Sequence, residues 1–150
     1  MSPAPGRALS GTPLPRKLGV RPGSRLGLAR APEGFEERLG DLPDGVVVRR
    51  RLQGRFDVIV AFSTDRGELE RGLPAWRRSL DLAGGLWLAW PKRTAGVATD
   101  LSDGVVRELG LAAGLVDNKV CALDAQWSAL RFVYRRADRT APGPAGAAST

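Results

Sequence analysis

Two apolar runs constrain this chain more than anything else in it. Residues 57–62 read DVIVAF and residues 84–92 read GGLWLAWPK. A strand that is apolar on both sides has to be covered on both faces, as in a parallel sheet sandwiched between helices. Between the two runs lies a helical pattern. Leu69, Leu73, Trp76 and Leu80 fall at i, i+4, i+7 and i+11, which is one face of a helix. Asp65 and Glu68 have the N-cap and N3 spacing of a helix start. Pro74, inside the run, predicts a kink or a restart because it lacks an N–H and crowds the preceding turn.

The remaining segments extend the alternation. Residues 14–18 suit a short helix, residues 25–30 a first strand and residues 33–40 a second short helix, with Phe35 and Leu39 one turn apart. Residues 46–48 read as a second strand, so that residues 57–62 become the third. Leu86 to Trp90 form the fourth. A helix carrying Val105, Val106 and Leu109 follows, capped by Ser102 or Asp100, with Gly110 and Gly114 as candidate terminators. Residues 119–123 and 130–135 close the chain as a hairpin. The order predicts an α/β fold: a three-layer, Rossmann-like, mostly parallel sheet with helices on both faces and a C-terminal antiparallel hairpin. That order is similar to a shortened class I methyltransferase fold. The folded domain is expected over residues 14–136. Residues 1–13 and 137–150, rich in Pro, Gly, Ser and Ala, are expected to be a disordered arm and tail.

Composition removes whole classes of chemistry. The chain has no histidine, which excludes Ser-His-Asp and Cys-His catalysis and imidazole metal ligands. Its one cysteine, Cys121, excludes an internal disulfide and a zinc or iron–sulfur site, and fits a reducing compartment. No apolar run is long enough for a membrane span and no signal-like segment opens the chain, so a cytoplasmic location without membrane association is expected. The net charge of +7 favours acidic partners, or reflects the arginine-rich composition of a GC-rich genome.

Several phrases, read together, resemble a small actinobacterial family of uncharacterised domains: Ser10-Gly11-Thr12-Pro13-Leu14, Lys17-Leu18-Gly19-Val20, Ala31-Pro32-Glu33-Gly34-Phe35, residues 87–92, Thr99-Asp100-Leu101, residues 115–121 and Trp127-Ser128. The resemblance runs over roughly residues 10 to 136 and implies a compact Rossmann-like domain. It carries no catalytic role and no cofactor.

The motifs of nucleotide enzymes are incomplete. S-adenosylmethionine binding calls for a glycine-rich turn after the first strand and a carboxylate at the end of the second. Here the turn is Ala31-Pro32-Glu33-Gly34, and the second strand runs into Arg49, Arg50 and Arg51. An arginine there suits a 2′-phosphate, but the GxGxxG turn is missing. Asn118-Lys119 lacks both the aspartate and the phosphate loop of a GTPase. Cys121, in an apolar strand, reads as inert.

What remains is a rim. In open α/β sheets, ligands bind outside the carboxyl ends of the strands. Glu33, Ser63, Thr64, Trp90, Lys92, Thr99 and Asp100 are predicted to gather there, joined by Asp124 and Trp127 from the hairpin. Lys92 would supply the charge for a small anionic ligand, with Trp90 and Trp127 as walls. Alternatively, Lys92 forms a structural ion pair with Asp100 or Asp124. Arg49, Arg50, Arg51 and Arg55 make a basic cluster able to pair with phosphates of nucleic acid. The leading expectation is a non-enzymatic binding or regulatory module, with an anionic ligand or protein partner and no cofactor. The alternatives are a divergent methyltransferase-like or nucleotide-binding enzyme using Lys92, and nucleic-acid association through the arginines.

Overall fold

A computed structural model describes residues 12–140, leaving most of the expected arm and tail outside the described residues. The elements in chain order are α1 (Leu14–Leu18), β1 (Arg25–Ala29), α2 (Phe35–Leu39), β2 (Val47–Arg49), β3 (Phe56–Phe62), α3 (Arg66–Ser79), β4 (Leu80–Pro91), α4 (Asp103–Ala112), β5 (Leu115–Ala122), β6 (Trp127–Tyr134) and α5 (Arg136–Thr140). They build one six-stranded sheet in the order β2-β1-β3-β4-β6-β5. Strands β1 to β4 are parallel, and β6 runs antiparallel to both β4 and β5.

The period of two along each strand splits the core into two layers. On one face, Ile59, Ala61, Leu86, Leu88, Leu130 and Phe132 pack with Leu69, Leu73 and Trp76 of α3 and Val106 and Leu109 of α4. On the other, Val58, Val60, Phe62 and Trp87 pack with Leu18 of α1 and Phe35 and Leu39 of α2. The fully buried Trp87 ties α1 down by donating its indole N–H to the Leu18 carbonyl at 3.0 Å.

Several elements differ from the sequence expectation, each for a local reason. Helix α3 starts after Asp65, whose carboxylate accepts from Glu68 N at 2.8 Å, and then runs through Pro74 without restarting. Strand β4 begins six residues early, at Leu80, because residues 81–84 bulge where the β3–β4 register jumps between Phe56 and Val58. Gly84 belongs to that bulge: a Cβ there would lie 2.7 Å from the Asp57 carbonyl oxygen. Gly110 does not end α4. It sits inside the helix where a Cβ would come within 2.1 Å of the Phe132 ring, so the glycine lets the helix lie close on the sheet. Gly114, at φ 89°, is the residue that takes the left-handed turn after it. Residues 50–55 connect β2 to β3 directly, with Leu52 lying over Gly27 of β1. Among the described residues, no helix is long and apolar enough to cross a membrane.

Candidate functional site at the carboxyl edge of the sheet

The chain leaves β1 to one side, toward β2, and returns on the other side as β3. This reversal is a topological switch point, where α/β sheets open a crevice. The carboxyl ends of β1, β3 and β4 and the β5–β6 turn share this edge. The edge is laced by backbone bonds from Ser63 N to the Ala89 carbonyl at 3.1 Å and from Lys92 N to the Gln126 carbonyl at 2.8 Å.

The crevice between β1 and β3 is spanned by the protein's own side chains. Arg30, directly after β1, is the one non-glycine residue with positive φ among the described residues, at 59°. Its guanidinium pairs with Glu68 in the first turn of α3. Glu68 also accepts from the Thr64 backbone N–H at 2.7 Å and from the Thr64 hydroxyl at 3.0 Å. The Thr64 N–H, the Thr64 hydroxyl and the Arg30 charge together hold the Glu68 carboxyl below the ordinary carboxylate range, against the opposing pull of partial burial. The sequence spacing identifies Glu68 only as part of a helix cap. Its reach back to Thr64, one residue before the cap, is close to the capping-box pattern that its spacing implies.

Beside this filled crevice lies an open one. A cleft of roughly 650 Å³ at the end of β4 is lined by Trp90, Lys92, Thr99, Asp100, Ser102 and Asp103, with Val120 and Ser128 opposite. Its loop is built by local capping. Thr99 Oγ accepts from Leu101 N at 3.0 Å, and Ser102 Oγ accepts from Val105 N at 3.3 Å to start α4. Asp100 accepts from Arg66 N at 2.8 Å, tying the loop to the start of α3. Lys92 is half-buried at the cleft and makes no ion pair among the described residues. The ion pair entertained for it is absent because both candidate carboxylates are engaged elsewhere: Asp100 by Arg66, and Asp124 by Arg38 at 2.6 Å and by the backbone of its own turn. Ser63, buried at the end of β3, has a hydroxyl with no hydrogen-bond partner among the described residues.

The two tryptophans do not wall one site. Trp90 is in register with Ser128 and Pro91 with Trp127, so the pleat sends Trp90 and Trp127 to opposite faces. Trp90 lines the cleft. Trp127 packs edge-on against Phe62, with ring centroids 4.9 Å apart, in the layer beneath α1 and α2. Glu33 is exposed in the turn before α2. All four arginines of the cluster are exposed. Arg50 pairs with Glu36 at 2.9 Å, Arg49 turns back on the Val48 carbonyl, Arg51 is exposed, and Arg55 lies at the entry of β3. Cys121 is half-buried on the edge strand β5 rather than deep in the core, and burial pushes its thiol pKa up.

No family model and no curated protein matches the chain. Solved structures do. The DhpI–SAH complex superposes with a TM-score of 0.55 at 13% identity, over 86% of this chain and 85% of that one. A TehB-like SAM-dependent methyltransferase from Corynebacterium glutamicum gives 0.51 at 16%, over 85% and 92%. Magnesium protoporphyrin IX methyltransferase from Synechocystis PCC 6803 with bound SAH gives 0.52 at 12%, over 76% and 75%. The fold is that of the class I methyltransferases. This overturns the expectation of a non-enzymatic module, since the architecture shared here is one on which enzymes are built. That expectation rested on missing motifs, and side chains at one crevice say little about the rest of a fold.

The S-adenosyl group that this fold implies does not fit the residues at the switch point. The Arg30–Glu68 pair spans the crevice, Pro32 has no N–H to offer, and β2 ends in Arg49 where a ribose would want a carboxylate.

Proposed function

We propose that the chain is a divergent enzyme of the class I methyltransferase fold that takes a phosphate-bearing nucleotide at the Lys92 cleft. The observation that carries this reading is the half-buried Lys92, unpaired among the described residues, at the carboxyl edge of a parallel strand and at the mouth of a cleft of roughly 650 Å³. An ammonium without a carboxylate partner, beside Arg93 in a cleft of mixed polar and apolar lining, is placed to neutralise an anion. It would hold negative charge as it develops on a transferred or leaving group, a role in which fixed charge in a partly desolvated site is most effective. Trp90, nearly fully buried in the core, is among the residues that line the cleft. Asp100 and Ser102 fix the loop through backbone bonds, so the cleft is shaped before a ligand arrives.

Isothermal titration with ATP, GTP and S-adenosylhomocysteine in parallel tests this reading. A nucleoside triphosphate should bind, and Lys92→Ala should weaken it by about tenfold, or about 1.4 kcal/mol. Tight binding of S-adenosylhomocysteine that Lys92→Ala leaves unchanged would overturn the Lys92 reading in favour of a methyl donor held elsewhere on the edge.

A further inference from the structure

The helices do not cover both faces of the sheet equally. On the face that carries α3 and α4, helix α4 packs over β6 through Phe132. On the opposite face, α1 reaches Trp87 of β4, and a groove of roughly 500 Å³ opens between α1 and the edge strand β5. Its lining is basic: Arg16 and Lys17 come from α1 and Lys119 from β5. Lys119 is the cross-strand neighbour of Arg131 on β6, on the same face. Arg131 in turn feels the charges of Arg21, in the turn before β1, and Arg139 of α5. Six cations thus follow one another from α1 across the hairpin to α5. Among the described residues none of the six is held in an ion pair.

Unpaired like charges close together repel, and a fold keeps them at low cost only when counterions or a partner neutralise them. The arrangement is a strip, not a point. A single small anion would satisfy two or three of these groups, while a chain of phosphates would satisfy them in series. An apolar rim of the kind that protein partners bury is nearly absent, Val120 being the one large exposed hydrophobic lining the groove.

We propose that this strip, formed by Arg16, Lys17, Arg21, Lys119, Arg131 and Arg139, binds the phosphodiester backbone of a nucleic acid strand without reading its sequence. It adjoins the Lys92 cleft, sharing Val120 with it, and lies apart in sequence from Arg49, Arg50, Arg51 and Arg55. Contacts of this kind release counterions, so binding must weaken steeply with salt.

Fluorescence anisotropy with a short labelled RNA oligonucleotide tests the proposal. Between about 50 and 200 mM salt the affinity should fall on the order of tenfold or more. The double variant Lys17→Glu with Lys119→Glu should lose on the order of tenfold at fixed salt. The control Arg49→Glu with Arg51→Glu makes the same change in net charge at exposed positions outside the strip and should stay within about twofold, because a phosphate contact is local. Equal losses in the two double variants would reduce the effect to net charge and overturn the proposal. So would a polyglutamate competitor binding as tightly as the RNA, which would point to an acidic protein instead.

Discussion

Two crevices open on the same edge of this sheet, and the chain treats them in opposite ways. At the switch point between β1 and β3, Arg30, Thr64 and Glu68 bind one another and the crevice is closed by protein. At the end of β4, Lys92 faces an open cleft and makes no ion pair among the described residues, Asp100 being held by Arg66 N and Asp124 by Arg38. Satisfied polar groups stabilise a fold, whereas an unpaired charge held ready is characteristic of a site. The comparison separates a fold from its usual chemistry: the architecture is that of methyltransferases, while the open cleft lies to the side of the switch point.

The largest expected effect tests what holds the open cleft in shape. Helix α4 begins at the cleft and lies close on the sheet because Gly110 has no Cβ to meet Phe132. Phe132 is fully buried and cannot step aside. Gly110→Ala gains up to about 1 kcal/mol of helix propensity but overpacks the contact. A net loss of about 2 kcal/mol in urea denaturation is expected. A neutral or stabilised variant would show that α4 can lift away from the sheet at little cost.

That glycine also shows what a sequence does and does not disclose. The strand segments 57–62 and 86–90 are legible because apolar side chains on both sides admit few other structures, whereas the start of β4 at Leu80 is not. The caps at Asp65 and Ser102 were legible because their bonds are local. Between the two candidate terminators, Gly110 and Gly114, sequence cannot choose, because a glycine that ends a helix and one that lets a ring approach look alike until the facing strand is known. Trp90 and Trp127 were paired in one site because the β4–β6 register, which sends them to opposite faces, is a long-range fact. The partners of Asp100 and Asp124 come from α3 and α2, and no local pattern announces them. The rim itself was legible, because strand direction alone places Ser63, Thr64 and Lys92 at one edge.

The closed crevice can be broken next. Glu68→Gln keeps the shape and removes the charge that accepts from Thr64 and pairs with Arg30. A loss of about 1.5 kcal/mol is expected at neutral pH. The pH dependence sharpens the test. The folded-state carboxyl of Glu68 lies below its unfolded value, so its contribution is present in full above the ordinary carboxylate range. It is lost as pH falls through that range toward the depressed folded value. The gap between wild type and Glu68→Gln should therefore be widest near neutrality and close in acid. A gap that persists in acid would mean that Glu68 acts through packing instead of charge.

Asp100 links the two crevices, since it anchors the loop of the open one to the helix that starts at the closed one. Asp100→Ala removes the acceptor for Arg66 N and should cost about 1 kcal/mol, the usual size for losing a capping side chain. It should also loosen residues 93–102, which amide hydrogen exchange would register as faster exchange there than in β3 or β4. Unchanged exchange in the loop would show that Thr99 and Ser102 hold it without Asp100.

The smallest effect on stability is expected where the effect on binding is largest. Lys92 has no ion pair among the described residues, so Lys92→Ala should change unfolding free energy by less than about 0.5 kcal/mol, as at an ordinary surface position. A structural ion pair would give a very different result, because removing one partner of a buried pair costs about 3–5 kcal/mol. The two crevices then separate cleanly. Glu68→Gln should lower stability and leave nucleotide affinity within about twofold, since the capping bonds it loses are not ligand contacts. Lys92→Ala should do the reverse. If both variants lower both quantities together, the edge is a single coupled unit, and the division between a crevice that stabilises and a cleft that binds does not hold.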